Sequence, residues 1–305
     1  MIHCQPNKSF PELHFRIFSA LTVACVNLMY LQDTSLFMED SSAGNKQMSG
    51  KTNYQLLLIA SLNKEIELAC KLDPEKLTTE IQKIGFSCQH CGKCCRRAFG
   101  DNSVVLIPSE IERIRKYTGL SKLEVAGPFV PDITIQNEPG EDEENNHDDS
   151  FRVPEKNDEP VSSEYLKLLQ EDIDCEGNIH AFGWLLRRKR NGDCIFLEKD
   201  TNKCRVYPVR PMICSTYPFY IEELRLQICE CEGLGYPISA EDNKKLAENL
   251  ICRYISELED RLNMYEKFVN FRRGEKGPEL AKKSLENGTC TYIVHDSTGS
   301  TKVID

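Results

Sequence analysis

Cysteine grouping restricts what this 305-residue chain can fold into more than any other feature, because nine of its fifteen cysteines fall in three groups. The first is Cys88-x2-Cys91-x2-Cys94-Cys95, the second is Cys194, Cys204 and Cys214 at even intervals, and the third is Cys229-x-Cys231. Cys4, Cys25, Cys70, Cys175, Cys252 and Cys290 stand alone. A secreted chain would use such thiols for disulfides, whereas a cytoplasmic one holds them reduced for metal or catalysis. Residues 17–31 (IFSALTVACVNLMYL) follow Lys8 and Arg16 and have the length of a signal-peptide core. No small-residue cleavage site follows, the stretch is short of the ~20 residues that span a bilayer, and adjacent cysteines bridge poorly. The expectation is a cytoplasmic protein that uses its thiolates to bind metal.

A C-x2-C-x2-C run puts three sulfurs on one tight loop, where backbone amides can point at them and offset their negative charge. The spacing matches the first three ligands of bacterial ferredoxin loops, except that the next cysteine, Cys95, is adjacent to the third. Neighbouring side chains usually point apart, so Cys95 either faces a second centre or is a small buried hydrophobe, with a later cysteine completing the first centre. The candidate metal residues are Cys88, Cys91, Cys94, Cys95, Cys194, Cys204, Cys214, Cys229 and Cys231. Four thiolates suffice for one 4Fe–4S cluster or one tetrahedral zinc. Zinc typically takes two separated C-x2-C knuckles, and these overlap, which favours iron–sulfur and leaves zinc as the alternative. His90 lies in the loop among better ligands, and Lys93, Arg96, Arg97, Arg205 and Arg210 are cations placed to offset thiolate charge. Arg187, Arg188, Lys189 and Arg190 read as a solvated strand face, and Cys70 and Cys252 as buried apolar cysteines within helices.

Charge narrows the partners. With 38 Lys plus Arg against 48 Asp plus Glu, the chain has no general attraction for nucleic acid or anionic lipid. A protein partner or substrate fits better. Residues 138–159 hold ten acidic residues against Arg152 and Lys156, and such a run repels itself and buries nothing.

The resulting organisation has five parts. Residues 1–50 are an N-terminal extension, disordered or lying upstream of a translation start at Met38 or Met48. Residues 51–136 carry helices and the first cysteine group, 137–161 form a disordered acidic insertion, 162–238 are the second cysteine-rich half, and 239–305 hold a helix and tail. Helices are expected over 54–70 and from the Asp73-Pro74 cap to Gly85. A short strand follows at 104–107, then a helix opened by a Ser109/Glu112 capping box and stopped near Gly119, and another after Ser121. Asn191-Gly192 predicts a hairpin between 183–190 and 194–198. Cys214 should lie on a turn or single helical turn, 224–229 in a strand, 240–271 in a long amphipathic helix, and the tail in a small hairpin around 297–300. The fold class is α+β: a small metal-centred irregular core with short antiparallel hairpins, flanked by amphipathic helices.

Cys88-Gln-His-Cys91-Gly-Lys-Cys94-Cys95, Cys194-Ile-Phe-Leu197, Cys204-Arg-Val-Tyr207-Pro-Val-Arg210-Pro211-Met-Ile-Cys214 and Tyr217-Pro218-Phe219 together resemble the YkgJ-type cysteine-cluster proteins over residues 86–236. The resemblance implies a zinc- or iron-chelating domain, often described as an Fe–S protein, with flagellin lysine-N-methylases as relatives. Ser215 stands where an Arg commonly follows the cysteine, Tyr217 replaces a common Phe, and the acidic insertion interrupts the domain. The residue matches carry over metal ligands and no methyl-donor site. Three activities therefore remain open: an iron–sulfur redox protein, a zinc-binding structural or metal-delivery module, and a protein-lysine N-methyltransferase.

Overall fold

The computed structural model describes residues 51–96, 98, 103–130, 163–189 and 191–304. The apolar stretch 17–31, Arg97, Arg190 and the acidic stretch 137–161 lie outside them.

Two capped helices open the described chain. The Thr52 hydroxyl accepts the Gln55 N–H at 3.2 Å and starts α1 (Asn53–Ala69). The Asp73 carboxylate accepts the Glu75 N–H at 3.0 Å ahead of α2 (Pro74–Ile84), which Gly85 ends at φ 74°. After the first cysteine group come β1 (Val105–Leu106), α3 (Pro108–Thr118), α4 (Lys122–Val125) and β2 (Ala126–Pro128). α3 starts two residues earlier than the Ser109/Glu112 pattern implies, with its N-cap at Ile107. Pro108 takes the first helical position, and Glu110 reaches back to accept the Ile107 N–H at 3.2 Å. The second half brings α5 (Ser163–Leu169), β3 (Ile179–Phe182), β4 (Trp184–Leu186), α6 (Met212–Thr216), β5 (Phe219–Glu222) and β6 (Arg225–Ile228). The chain closes with α7 (Ala240–Lys267), α8 (Gly277–Glu286), β7 (Thr291–Asp296) and β8 (Gly299–Ile304). This is the expected mixture of helices and small sheets. No helix among the described residues is long and apolar enough to cross a membrane.

The strands form three small sheets, ordered β1-β4-β2, β3-β7-β8 and β5-β6. The tail hairpin forms as the sequence suggests, and β3 joins it in parallel, with Ile179 opposite Tyr292. Two apolar cores result. One gathers Ile111, Ile114, Trp184, Phe196 and Val294 from the first two sheets and the helices around them, and the other gathers Leu62, Ile81, Phe219, Leu250 and Leu258 from α1, α2, α7 and the β5-β6 hairpin. The stripe expected on 240–271 is the second core's main contributor, although its helix ends at Lys267, where Gln55 caps it by donating to the Phe268 carbonyl at 2.9 Å. Cys70 and Cys252 are exposed, contrary to expectation, because Leu250 and Tyr254 take the inward face around Cys252 and Cys70 lies just past the end of α1. Leu57 on α1 is 70% exposed, while Leu62 and Ala69 of the same helix are buried.

Behind the tail sheet runs a buried polar chain. The Asp174 carboxylate accepts from His180 Nε2 at 3.3 Å, which leaves Nδ1 of a neutral His180 to accept from His295 Nε2 at 2.8 Å. His295 Nδ1 then accepts the Ser300 hydroxyl at 2.9 Å. Burial, followed by the charge of His180, pushes His295 down to about 4. Burial also lowers His180, against the pull of Asp174. The unfolded chain therefore binds more protons than the folded one between these values and the free imidazole pKa, so stability rises with pH there. The His295 contribution is fully present above about pH 6.5 and is lost as the pH falls towards 4, whereas Asp172, raised by burial to about 6, acts in the opposite direction over the same window. Urea unfolding at stepped pH of wild type and His295→Gln isolates it, and the same pH slope in both would refute it.

Candidate metal centre

The first cysteine loop is shaped by left-handed residues. His90 at φ 50° and Gly92 at φ 70° reverse the chain, and a single 3-10 turn over Lys93–Cys95 follows. Glycine suits position 92 because its φ of 70° is one that L side chains rarely adopt. The turn brings the sulfurs of Cys94 and Cys95 to 4.0 Å, so these adjacent thiols converge where divergence was expected.

The second group arrives through consecutive tight reversals. Asn191-Gly192 makes its turn, with the Lys189 N–H donating to the Asp193 carbonyl at 2.7 Å. The expected hairpin stops at one bridge, Arg188 to Cys194, because β4 pairs instead with β1 and β2. The Cys194 N–H donates to the Cys95 carbonyl at 2.8 Å, which docks this segment on the first loop. A further turn pairs Leu197 with Cys204, so the ten-residue interval brings Cys204 back beside Cys194, and both pack on the first core. Cys214 sits on the single helical turn of α6, as its proline neighbours predicted. That turn is held by Glu110, which no local motif tied to the site: its buried carboxylate accepts the Met212 N–H at 2.6 Å.

The third group meets the opposite side of the loop. Ser87 donates to the Gly233 carbonyl at 2.9 Å, Gly235 to the Gly85 carbonyl at 3.1 Å, and Phe86 bridges Leu234. Lys93 pairs with Glu232, and the Gly233 N–H donates to Cys231 Sγ at 3.4 Å. Gly233-Leu234-Gly235 thus serves close backbone approach, since a Cβ at 233 would lie 2.4 Å from the Ser87 carbonyl oxygen. Gly233→Ala is expected to cost roughly 1–3 kcal/mol by overpacking, measured as a shift in urea midpoint. An unchanged midpoint would show that the two segments do not dock this closely.

The thiols feel one another's charge. The Cys95 hydrogen bond, against burial and with help from backbone N–H groups and Arg210, lowers Cys94 to about 7. Its partner Cys95 is pushed far up by that bond, by burial and by the charges of Cys94, Cys194 and Cys214. Burial raises Cys194, Cys204 and Cys214, and the charges of neighbouring thiolates add to it. Burial likewise raises Cys231, with Cys94, Cys88 and Cys91 adding, and pushes Cys229 up to about 11. A set of crowded thiols that resist ionisation is what a cation relieves. Arg210, stacked 3.9 Å over Tyr207, favours the thiolates of Cys94 and Cys204, as its position in sequence suggested. Arg96 instead braces the Cys91 carbonyl at 3.4 Å and Asn202. Arg188, read as a solvated residue, favours the Cys194 thiolate, and Arg253 on α7, far from any cysteine group in sequence, favours that of Cys229. His90 is exposed at the loop's edge.

The donor set suits a thiophilic metal. The cysteines of all three groups are free thiols, and N–H groups of Phe196, Val206 and Gly233 point at the sulfurs of Cys194, Cys204 and Cys231. As the side chains are placed, no three His, Cys, Asp or Glu groups among the described residues are close enough to hold one ion. The backbone gathers the thiols, and coordination would need side-chain adjustment.

A mixed α and β fold with three cysteine groups meeting between its two cores defines the class, a cysteine-cluster domain. The chain belongs to the CxxCxxCC family, described as a "Putative zinc- or iron-chelating domain", whose family model matches residues 87–253. The uncharacterized protein MJ0661 of Methanocaldococcus jannaschii is 52% identical over 31 residues, which is 10% of this chain and 17% of that protein. The chain thus spans about a sixth of that relative's length. No solved structure matches.

Proposed function

We propose that this protein binds an iron–sulfur cluster through its grouped cysteines and uses it for electron transfer. The observation that carries the reading is the docking of the second and third cysteine segments on the first cysteine loop, through Cys194 N–H to the Cys95 carbonyl and Ser87 N–H to the Gly233 carbonyl, with Cys94 and Cys95 sulfurs 4.0 Å apart and the Gly233 N–H on Cys231 Sγ. Three cysteines at C-x2-C-x2-C spacing supply the ligands of a cluster loop, and hydrogen bonds to sulfur tune its potential. The cluster would supply reversible one-electron chemistry. The chain's own part is to hold the thiolates, offset their charge through Arg210, Arg188 and Arg253, and embed the centre between two cores.

The family description supports zinc and iron equally, so the test must separate them. Dithionite added to anaerobically purified protein should bleach a broad visible absorption and produce a paramagnetic signal, both reversed by mild reoxidation. A colourless protein with no reduction step would sink the redox reading and leave a structural zinc site.

A further inference from the structure

We infer that Ser300 is the nucleophile of an acyl-transfer site on the tail sheet, with His295 as its general base and small activated esters as the substrate class. The site is separate from the cysteine groups and stands whether or not they hold metal. It is built on strand register: His295 of β7 lies opposite Ser300 of β8 on one side and Phe182 of β3 on the other. His180, two residues before Phe182, shares their face of the sheet, and the other face sends Tyr292 and Val294 into the first core.

The direction of the hydrogen bonds is fixed from one end. The Asp174 carboxylate accepts four of them, from the Glu176 and Asn178 N–H groups at 2.9 Å each, from Asn178 Nδ2 at 2.8 Å and from His180 Nε2 at 3.3 Å. Against the cost of burial, these bonds hold Asp174 below the ordinary carboxylate range, so it remains an acceptor. A neutral His180 then accepts at Nδ1 from His295 Nε2, which leaves His295 Nδ1 to accept from the Ser300 hydroxyl at 2.9 Å. Every proton in the row points towards Asp174, and the last donor is an exposed hydroxyl. This is the serine, base and orienting carboxylate order of a nucleophilic site, lengthened by one imidazole. Both imidazoles are buried, with Phe271 stacked 3.5 Å from His180 and Phe268 edge-on 4.9 Å from His295. As packing alone the row is a poor choice, since two buried imidazoles cost stability in acid and apolar residues would not.

In the acylation step Ser300 Oγ bonds to the ester carbonyl carbon while its proton moves to His295 Nδ1. The bond from that carbon to the alcohol oxygen then breaks, and the departing alcohol takes the proton. Water adds to the acyl carbon in the same way, giving its proton to His295 Nδ1, which returns it to Ser300 Oγ as the acid leaves. His180 and Asp174 are positioning residues that hold the His295 tautomer and face its transient positive charge. Burial makes His295 a weak base, which suits esters with readily departing groups such as phenolates and excludes amides.

The test applies an alkyl fluorophosphonate to the full chain. An Oγ–P bond forms, the P–F bond breaks, fluoride leaves and His295 Nδ1 takes the proton. Peptide mass spectrometry should find the adduct on Ser300, formed far faster than on exposed Ser61 of α1. Ser300→Ala should abolish it and leave the fold intact, because the side chain is exposed and water can replace the hydroxyl. His295→Gln should slow labelling by about 100-fold. Asp174→Asn should lower the saturating rate and leave the half-saturating probe concentration unchanged, whereas a merely structural role would move both or neither. An adduct absent from Ser300, or formed there no faster than on Ser61, would overturn the assignment. That comparison uses the wild type alone, so it holds even where a variant is insoluble.

Discussion

Stripping metal from the cysteine groups is expected to remove about 10 kcal/mol of folding free energy, by comparison with small thiolate zinc modules, and to unfold the middle of the chain. The reason lies in what joins the two apolar cores. Residues 86–96 and 194–235 contain short turns, single bridges and one two-stranded hairpin, and little of their backbone belongs to a continuous ladder. Without a cation, burial and neighbouring charges keep Cys95, Cys194, Cys204, Cys214, Cys229 and Cys231 above the ordinary thiol range. Ligation must therefore displace protons, and apparent affinity should fall as pH falls. Chelation followed by far-ultraviolet circular dichroism and urea unfolding checks this: lost structure and a lowered midpoint are expected, with recovery when metal is returned. An unchanged unfolding curve would mean that the centre contributes nothing to the fold.

Phe196→Ala should be the most damaging single substitution beneath the site, at about 3–5 kcal/mol. Phe196 is 2% exposed in the first core, its N–H points at Cys194, and its carbonyl accepts from Arg205 at 2.9 Å. Truncation leaves a cavity directly under the reversal that brings Cys194 back to Cys204. Both stability and metal retention should therefore fall. Chemical denaturation and metal analysis on one preparation would reveal it, and a loss below 1 kcal/mol would place Phe196 outside the packed core.

Sequence reasoning reached the cysteine groups, most helix boundaries and the tail hairpin, because each has a local signature: thiol spacing, Asp73 and Ser121 caps, and the periodic stripe over Leu246, Leu250 and Leu258. It missed what depends on distant partners. The parallel pairing of β3 with β7 joins residues over a hundred positions apart, and β3 carries a histidine that only His295 and Asp174 make tolerable. The hairpin at Asn191-Gly192 kept its turn and lost its ladder, since β4 found better partners on both edges. The β5-β6 turn uses Glu223 and Leu224 at positive φ, which no Gly or Asn announces. Glu110 and Arg253 are ordinary helix residues by sequence, and only packing brings them to Met212 and Cys229.

The most direct test of a thiolate metal centre is iron, zinc and acid-labile sulfide per chain in protein purified without oxygen, measured beside its titratable thiols. Near-integral iron with matching sulfide, and the nine grouped cysteines protected until the metal is removed, is the predicted result. A folded, metal-free protein whose grouped thiols all react at once would contradict it.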